Sequence, residues 1–393
     1  MYSAVSWPAV GAGWCAALSG APTEARAALE QRLASRLGAL DVLLTDSGTS
    51  ALRLALGERG ATRPVAVPAY SCYDIVTAVD GAELPVVFYD VDPSTLGPEE
   101  GSLREAIETE PSAVVVCHLF GHLVDVPAVE AVCGEALLVE DAAQGVGGRL
   151  RGRALGSFGS VSVLSFGRGK GMTGGSGGAL LAHDERGREV VASARRTLGD
   201  AQGGARSMVA LAAQLVLGRP SVYGLPASLP FLHLGETRYH PPRPPTAMAD
   251  AAVAVLGRTI DLTDREIAVR GRHARRLEAA LAGSCRASGM RPVDQGEPGY
   301  LRLPALLTSS DRSSPAEWER LGVARGYPRP LPELPTVQDR TLRPRPMPGA
   351  ESLADRLVTL PTHSLLREQD LAALEEWLAA GANAHAPVEA ADG

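Results

Sequence analysis

The chain has 393 residues, 45% of them hydrophobic and 21% charged, with a formal net charge of −7. That length supports a large core and two domains, and the composition is that of an ordinary globular protein. An acidic chain with scattered arginines lacks the basic face that nucleic acid requires, and no apolar run approaches the roughly 20 residues that span a bilayer. Residues 208–217 come nearest, interrupted by Gln214, and read as a buried or interfacial helix. Cys15, Cys72, Cys117, Cys133 and Cys285 show no metal or redox spacing. The N-terminus has neither a basic region nor a continuous apolar stretch. Reduced thiols and a cytoplasmic location are the expectation.

Residues 1–22 are small, apolar and poorly periodic, and read as an arm that packs on a partner subunit. Thr23 then opens a helical pattern through Ala27, Leu29, Leu33 and Leu37. From residue 42 short apolar runs alternate with helical stretches. Strands are predicted at 42–44, 65–67, 85–89, 113–116, 136–139, 160–166 and 178–181, with helices at 50–56, 73–79 and 126–132. This alternation predicts a mostly parallel sheet between helices, a large domain over 23–217. A proline-rich connector over 218–245 leads to a smaller α+β domain over 246–380, with helices at 246–256, 260–281 and 367–378. The tail from 381 is small and polar and reads as disordered.

Lys170 is the only lysine among 38 basic Lys and Arg residues. A guanidinium cannot serve as an amine nucleophile, whereas a pocketed lysine loses its proton and forms Schiff bases. It lies in a glycine-rich loop, Ser165-Phe166-Gly167-Arg168-Gly169-Lys170-Gly171-Met172-Thr173-Gly174-Gly175. Two further segments follow predicted strands, where open α/β sheets bind ligands. Asp46-Ser47-Gly48-Thr49-Ser50 offers hydroxyls and free amides at a helix start, suited either to a phosphate or to plain capping. Glu140-Asp141 puts a carboxylate at a strand end, where it either meets a ligand cation or caps the next helix; Glu140 should point the other way. Together the three supply an amine, an acid for a pyridinium nitrogen and a phosphate cradle, the set that pyridoxal 5'-phosphate (PLP) needs. His118, His122 and His363 could reach substrate but are better read as structural.

The wording and order of these segments resemble the DegT/DnrJ/StrS-type aminotransferases, a PLP family of fold type I. The matching phrases are Ser47-Gly48-Thr49-Ser50-Ala51-Leu52, Val67-Pro68-Ala69-Tyr70-Ser71, Pro85 to Asp92, His118-Leu119-Phe120-Gly121, Glu140 to Gln144, Gly156 to Gly159, Ser165-Phe166, Lys170 to Gly178 and Leu360 to His363. The resemblance implies a mostly parallel seven-stranded sheet and a homodimer with shared active sites. It implies Lys170 as the internal aldimine lysine, with Asp141 on the pyridine nitrogen and Gln144 near the phenolic oxygen. Gly48, Thr49 and Ser165 would hold the phosphate. The family's stacking aromatic matches Cys72 here, which points to the neighbouring Tyr73 for that role.

Two departures narrow the substrate inference. The region of the family's Asn-Tyr-Arg segment reads Gly235-Glu236-Thr237-Arg238-Tyr239-His240, without the asparagine, and its Gly-Glu-Gly-Gly reads Gly175-Ser176-Gly177-Gly178. The leading expectation is a transfer of an amino group from an amino acid donor, glutamate by family habit, to a keto-sugar or another keto acceptor of specialised metabolism. The alternative is another PLP reaction on an amino acid-derived substrate: elimination, substitution, decarboxylation or carbon–carbon bond formation. A non-catalytic sensor or scaffold would not need both the lysine and the aspartate.

Overall fold

The structure, a computed structural model, describes residues 5–20, 23–57, 63–202, 204–217, 239–308 and 315–380. The expected tail from 381, Arg238 and most of the proline-rich connector lie outside the described residues. In chain order the first half holds α1 (Trp7–Ser19), α2 (Thr23–Leu37), β1 (Asp41–Thr45), α3 (Gly48–Leu56), β2 (Val65–Pro68), α4 (Asp74–Gly81) and β3 (Val86–Tyr89). It continues with α5 (Glu100–Ile107), β4 (Ala113–Cys117), α6 (Val126–Glu130), β5 (Leu137–Asp141), β6 (Arg149–Leu150), β7 (Arg153–Ala154), β8 (Val161–Ser165), β9 (Gly178–Ala182), α7 (Glu185–Thr197) and α8 (Ala205–Leu217).

Seven strands form one sheet in the order β1-β9-β8-β5-β4-β2-β3. All neighbours run parallel except β9, which is antiparallel to both β1 and β8. The strands are mostly apolar because helices cover both faces, yet the pleat still sorts them. Leu137 and Val139 enter one core cluster and Leu138 another, as Val115 separates from Val114 and Val116. Every predicted strand is present within a residue or two. The helices α5 and α7 escaped the apolar pattern. Both are strongly polar outside and start on a carboxylate cap, Glu99 and Asp184, whose side chains accept from first-turn amides.

The second half holds α9 (Asp250–Thr259), α10 (Thr263–Leu281), β10 (Ala287–Gly289), β11 (Gly296–Glu297), β12 (Leu303–Leu307), α11 (Pro315–Leu321), β13 (Ala324–Arg325), α12 (Pro335–Gln338), α13 (Pro348–Arg356), β14 (Leu357–Leu360) and α14 (Glu368–Ala379). A second, antiparallel sheet runs β10-β12-β14-β13 over a core that includes Leu277, Trp318, Leu374 and Trp377. The helix α9 packs on the large-sheet side of the expected boundary at 246. Its Ala252, Val253 and Leu256 bury with Leu29 and Leu33 of α2, and its Ala251 and Val255 with Ala9 and Val10 of α1. The predicted arm is therefore largely the helix α1. No helix among the described residues is long and apolar enough to cross a membrane.

Two buried polar groups pin the strand ends. Glu140 is fully buried, and its carboxylate accepts the amides of Gly156 at 2.6 Å and Phe158 at 2.7 Å and faces His118 Nε2 at 2.9 Å. His118 Nδ1 in turn accepts from the Val124 amide at 3.1 Å. His122 is buried with a backbone hydrogen bond to Arg291, and burial lowers its pKa to about 4.

Replacing Glu140 with alanine strands several buried donors and should cost about 3–5 kcal/mol of unfolding free energy, read from urea denaturation. His122 gives a pH signature. Its unfolded form protonates near its ordinary value of 6.5 while the folded form resists until about 4. Stability should therefore fall as pH drops through that window, by up to about 3 kcal/mol from this group. A His122→Leu variant should show a flatter unfolding free energy between those pH values.

Candidate active site

β1 runs in the same direction as the parallel strands, so the segments after β1, β2, β4, β5 and β8 all emerge at one edge of the sheet. They enclose a cavity of about 230 Å³. Its walls include Ser47, Gly48 and Thr49 from the first, Ser71, Cys72 and Asp74 from the second, and Cys117 and His118 from the third. Asp141 and Gln144 come from the fourth, Ser165 and Lys170 from the fifth.

Two glycines let the first segment sit there. A Cβ on Gly178 would lie 2.4 Å from the Ser47 carbonyl carbon, and one on Gly48 would lie 2.8 Å from Ser165 Cβ. The turn therefore rests directly on the first residue of β9 and against the end of β8. Ser47 caps α3 by accepting from the Ser50 amide at 3.1 Å. The earlier amides of Gly48 and Thr49 fall in the first turn, where a helix supplies no acceptor of its own. With the Thr49 and Ser165 side chains they form a donor-rich lip at the positive end of α3, suited to an anion such as phosphate.

Asp141 follows Glu140 by one residue and so points to the opposite face, into the cavity. Its Oδ1 accepts from the Ala143 amide at 2.9 Å; its Oδ2 lies 3.9 Å from the Cys117 thiol. The β4–β5 register pairs Cys117 with Asp141, which explains the contact. Burial raises the Asp141 pKa, opposed by the Ala143 amide and by the positive charge of Lys170. A carboxylate so placed gains most from a cationic N–H partner, and a protonated pyridine nitrogen is one. The Ser71 hydroxyl is buried in the same wall beside the Cys117 thiol and meets no nitrogen or oxygen partner among the described residues. The donor set therefore fits PLP: an anion lip, a buried carboxylate and an amine on one cavity.

Of the residues selected from the sequence, Gly48, Thr49, Asp141, Gln144, Ser165 and Lys170 converge on this cavity. Tyr73 is not on its wall. It is buried, its ring 6.4 Å from that of Tyr327, and Cys72 lines the cavity instead. Burial and the Asp74 carboxylate push the Cys72 thiol up to about 12. His118 touches the cavity, but both its ring nitrogens are engaged by Glu140 and Val124. His122 and His363 are not among the lining residues, and both are held neutral by burial. The sequence reading missed Ser71, Asp74 and Cys117 as wall residues, although their position just after β2 or at the end of β4 carried the signal.

Residues 18–212 match the family model of the DegT/DnrJ/EryC1/StrS aminotransferases. The chain is 33% identical over 176 residues to an L-glutamine:2-deoxy-scyllo-inosose aminotransferase of Micromonospora echinospora, a stretch covering 43% of this chain and 42% of the relative. It is 33% identical over 159 residues to a dTDP-4-dehydro-2,3,6-trideoxy-D-glucose 4-aminotransferase of Saccharopolyspora spinosa, covering 39% of this chain and 40% of that one. The matched stretches thus span less than half the length of these curated relatives. In three dimensions the likeness extends further. The crystal structure of the sugar aminotransferase CalS13 from Micromonospora echinospora superposes with a TM-score of 0.76 at 25% identity, covering 97% of this chain and 98% of that one. The fold is that of the fold type I PLP aminotransferases. Through residues 18–212, which hold every described residue of the cavity wall, the chain belongs to the DegT/DnrJ/EryC1/StrS aminotransferase family.

Proposed function

We propose that the protein is a PLP-dependent aminotransferase that moves an amino group from an amino acid to a keto acceptor of specialised metabolism. The observation that carries this reading is the convergence of Lys170, Asp141 and the 47–49 turn on one cavity from three distant parts of the chain. When bound, PLP supplies an electron sink for the substrate carbon that loses its proton. Asp141 would hold the ring nitrogen in its protonated form. The α3 amides with Thr49 and Ser165 would hold the phosphate, and Gln144 would donate to the ring's phenolic oxygen. Lys170 Nζ would anchor the aldehyde carbon and, once released, carry the proton to and from the substrate carbon as general acid and base.

The acceptors named for the relatives are a cyclitol ketone and a nucleotide-linked keto-sugar. Either class suits a keto acceptor here. The donor is glutamate by family habit, and the first relative's name makes glutamine its direct competitor. A homodimer with shared sites follows from the family resemblance. Trp7 and Val209, exposed on α1 and α8, offer apolar surface for it. A cytoplasmic location accords with five cysteines that show no metal or redox spacing.

Purified protein should show a visible absorbance band with PLP that is lost on adding glutamate or glutamine, as the pyridoxamine form appears. A stable band with every common amino donor would instead favour elimination, decarboxylation or another PLP reaction. Lys170→Arg should abolish covalent attachment, read by borohydride reduction and mass spectrometry. Asp141→Asn should lower kcat/KM by about 100-fold or more while leaving covalent attachment intact.

A further inference from the structure

Gln144 is gripped at both ends of its amide. Its Oε1 accepts the Phe120 N–H at 2.9 Å, and its Nε2 donates to the Tyr327 hydroxyl at 2.8 Å. A backbone N–H can only donate, so the Phe120 bond decides which end of the amide is oxygen. Nε2 carries a second N–H. Gln144 lines the cavity, so this hydrogen is the donor it has left for a ligand.

Both grips depend on tertiary structure. Phe120 has φ 58° and ψ 14°, a left-handed conformation that is costly for a bulky residue and must be held from outside. Its carbonyl accepts from the Arg302 amide at 3.0 Å, next to β12 of the small sheet. Its ring stacks on Tyr327 with centroids 5.6 Å apart and planes at 26°. Tyr327 follows β13 of the same small sheet. Its amide donates to the buried Tyr70 hydroxyl at 2.7 Å, and the two rings meet edge to face at 5.7 Å. Tyr327 is itself buried, so its hydroxyl has no bulk water to replace Gln144 as a partner.

We infer that Tyr327 is a positioning residue: the Phe120 amide sets the polarity of the Gln144 amide, and the Tyr327 hydroxyl holds its Nε2 end in place so that the cavity is offered a donor. This rests on the assignment of the cavity to PLP. The phenolic oxygen of PLP is an acceptor, and an inverted amide would set oxygen against oxygen. The small sheet thereby controls a contact to the cofactor from 183 residues away in sequence, without supplying a wall residue of its own among those that line the cavity.

Tyr327→Phe removes the hydroxyl and keeps the ring stack. Titrating PLP into the apoprotein should show its Kd rise about five- to tenfold, the scale of one lost hydrogen bond. The pH midpoint of the visible band of the PLP-loaded protein should also move upward by about half a unit or more. A donor on the phenolic oxygen weakens that oxygen's hold on the neighbouring proton, and its loss restores that hold. Introduced into a Gln144→Leu protein, the same change should alter Kd by less than about twofold, because the amide it orients is gone. The inference is overturned if Tyr327→Phe keeps the wild-type Kd and midpoint, or if its effect is as large without Gln144 as with it. Failure of the wild-type protein to take up PLP would instead overturn the cofactor assignment beneath it.

Discussion

The carboxylate of Glu140 is the interaction from which the site is built outward. It is cut off from water, so it must be satisfied by protein donors, and it finds them in the Gly156 and Phe158 amides and the His118 ring. Those three bonds tie the end of β5 to the loop before β8 and to the end of β4. A strand's side chains alternate, so once Glu140 is committed to one face its neighbour Asp141 has no choice but the other. The cofactor-binding role proposed for Asp141 thus rests on a structural acid beside it. His118 is likewise spent on structure: one nitrogen faces Glu140 and the other receives the Val124 amide.

Sheet topology does the rest of the gathering. Five strand ends at one edge bring together segments that lie more than a hundred residues apart. The reversed strand β9 matters in this arrangement. It separates β1 from β8 and, through the bare Cα of Gly178, lets the Ser47–Gly48 turn rest on its first residue. The same close approach leaves the start of α3 against Ser165, through the bare Cα of Gly48.

Among the described residues, the second half of the chain acts by holding rather than by lining. It enters the site region through Tyr327 and the backbone about Arg302, both fastened to the left-handed Phe120. A strained residue beside a cavity persists only if its surroundings overdetermine it, and here a side-chain amide, a ring stack and a backbone bond do so together. The large and small sheets are therefore coupled beside the cavity, where the Gln144 amide is held.

Much was legible in advance because it is local. Apolar runs of four or five residues gave the strands, and a lone lysine among glycines drew attention to the loop that lines the cavity. What failed depended on distance in three dimensions. Tyr73 and Cys72 are adjacent in sequence, and only packing against Tyr327 decided that the tyrosine turns into the core and the cysteine faces the cavity. Tyr327 itself carries no local signal, since nothing around it in the chain resembles a site. The amino acid order determined the strand and helix alternation and the residue types available for chemistry, because propensity and motif spacing act over a few residues. The tertiary structure alone decided which of those residues share a cavity and which amide is oriented toward it, because burial and hydrogen-bond satisfaction are settled between segments that meet only when the chain is folded.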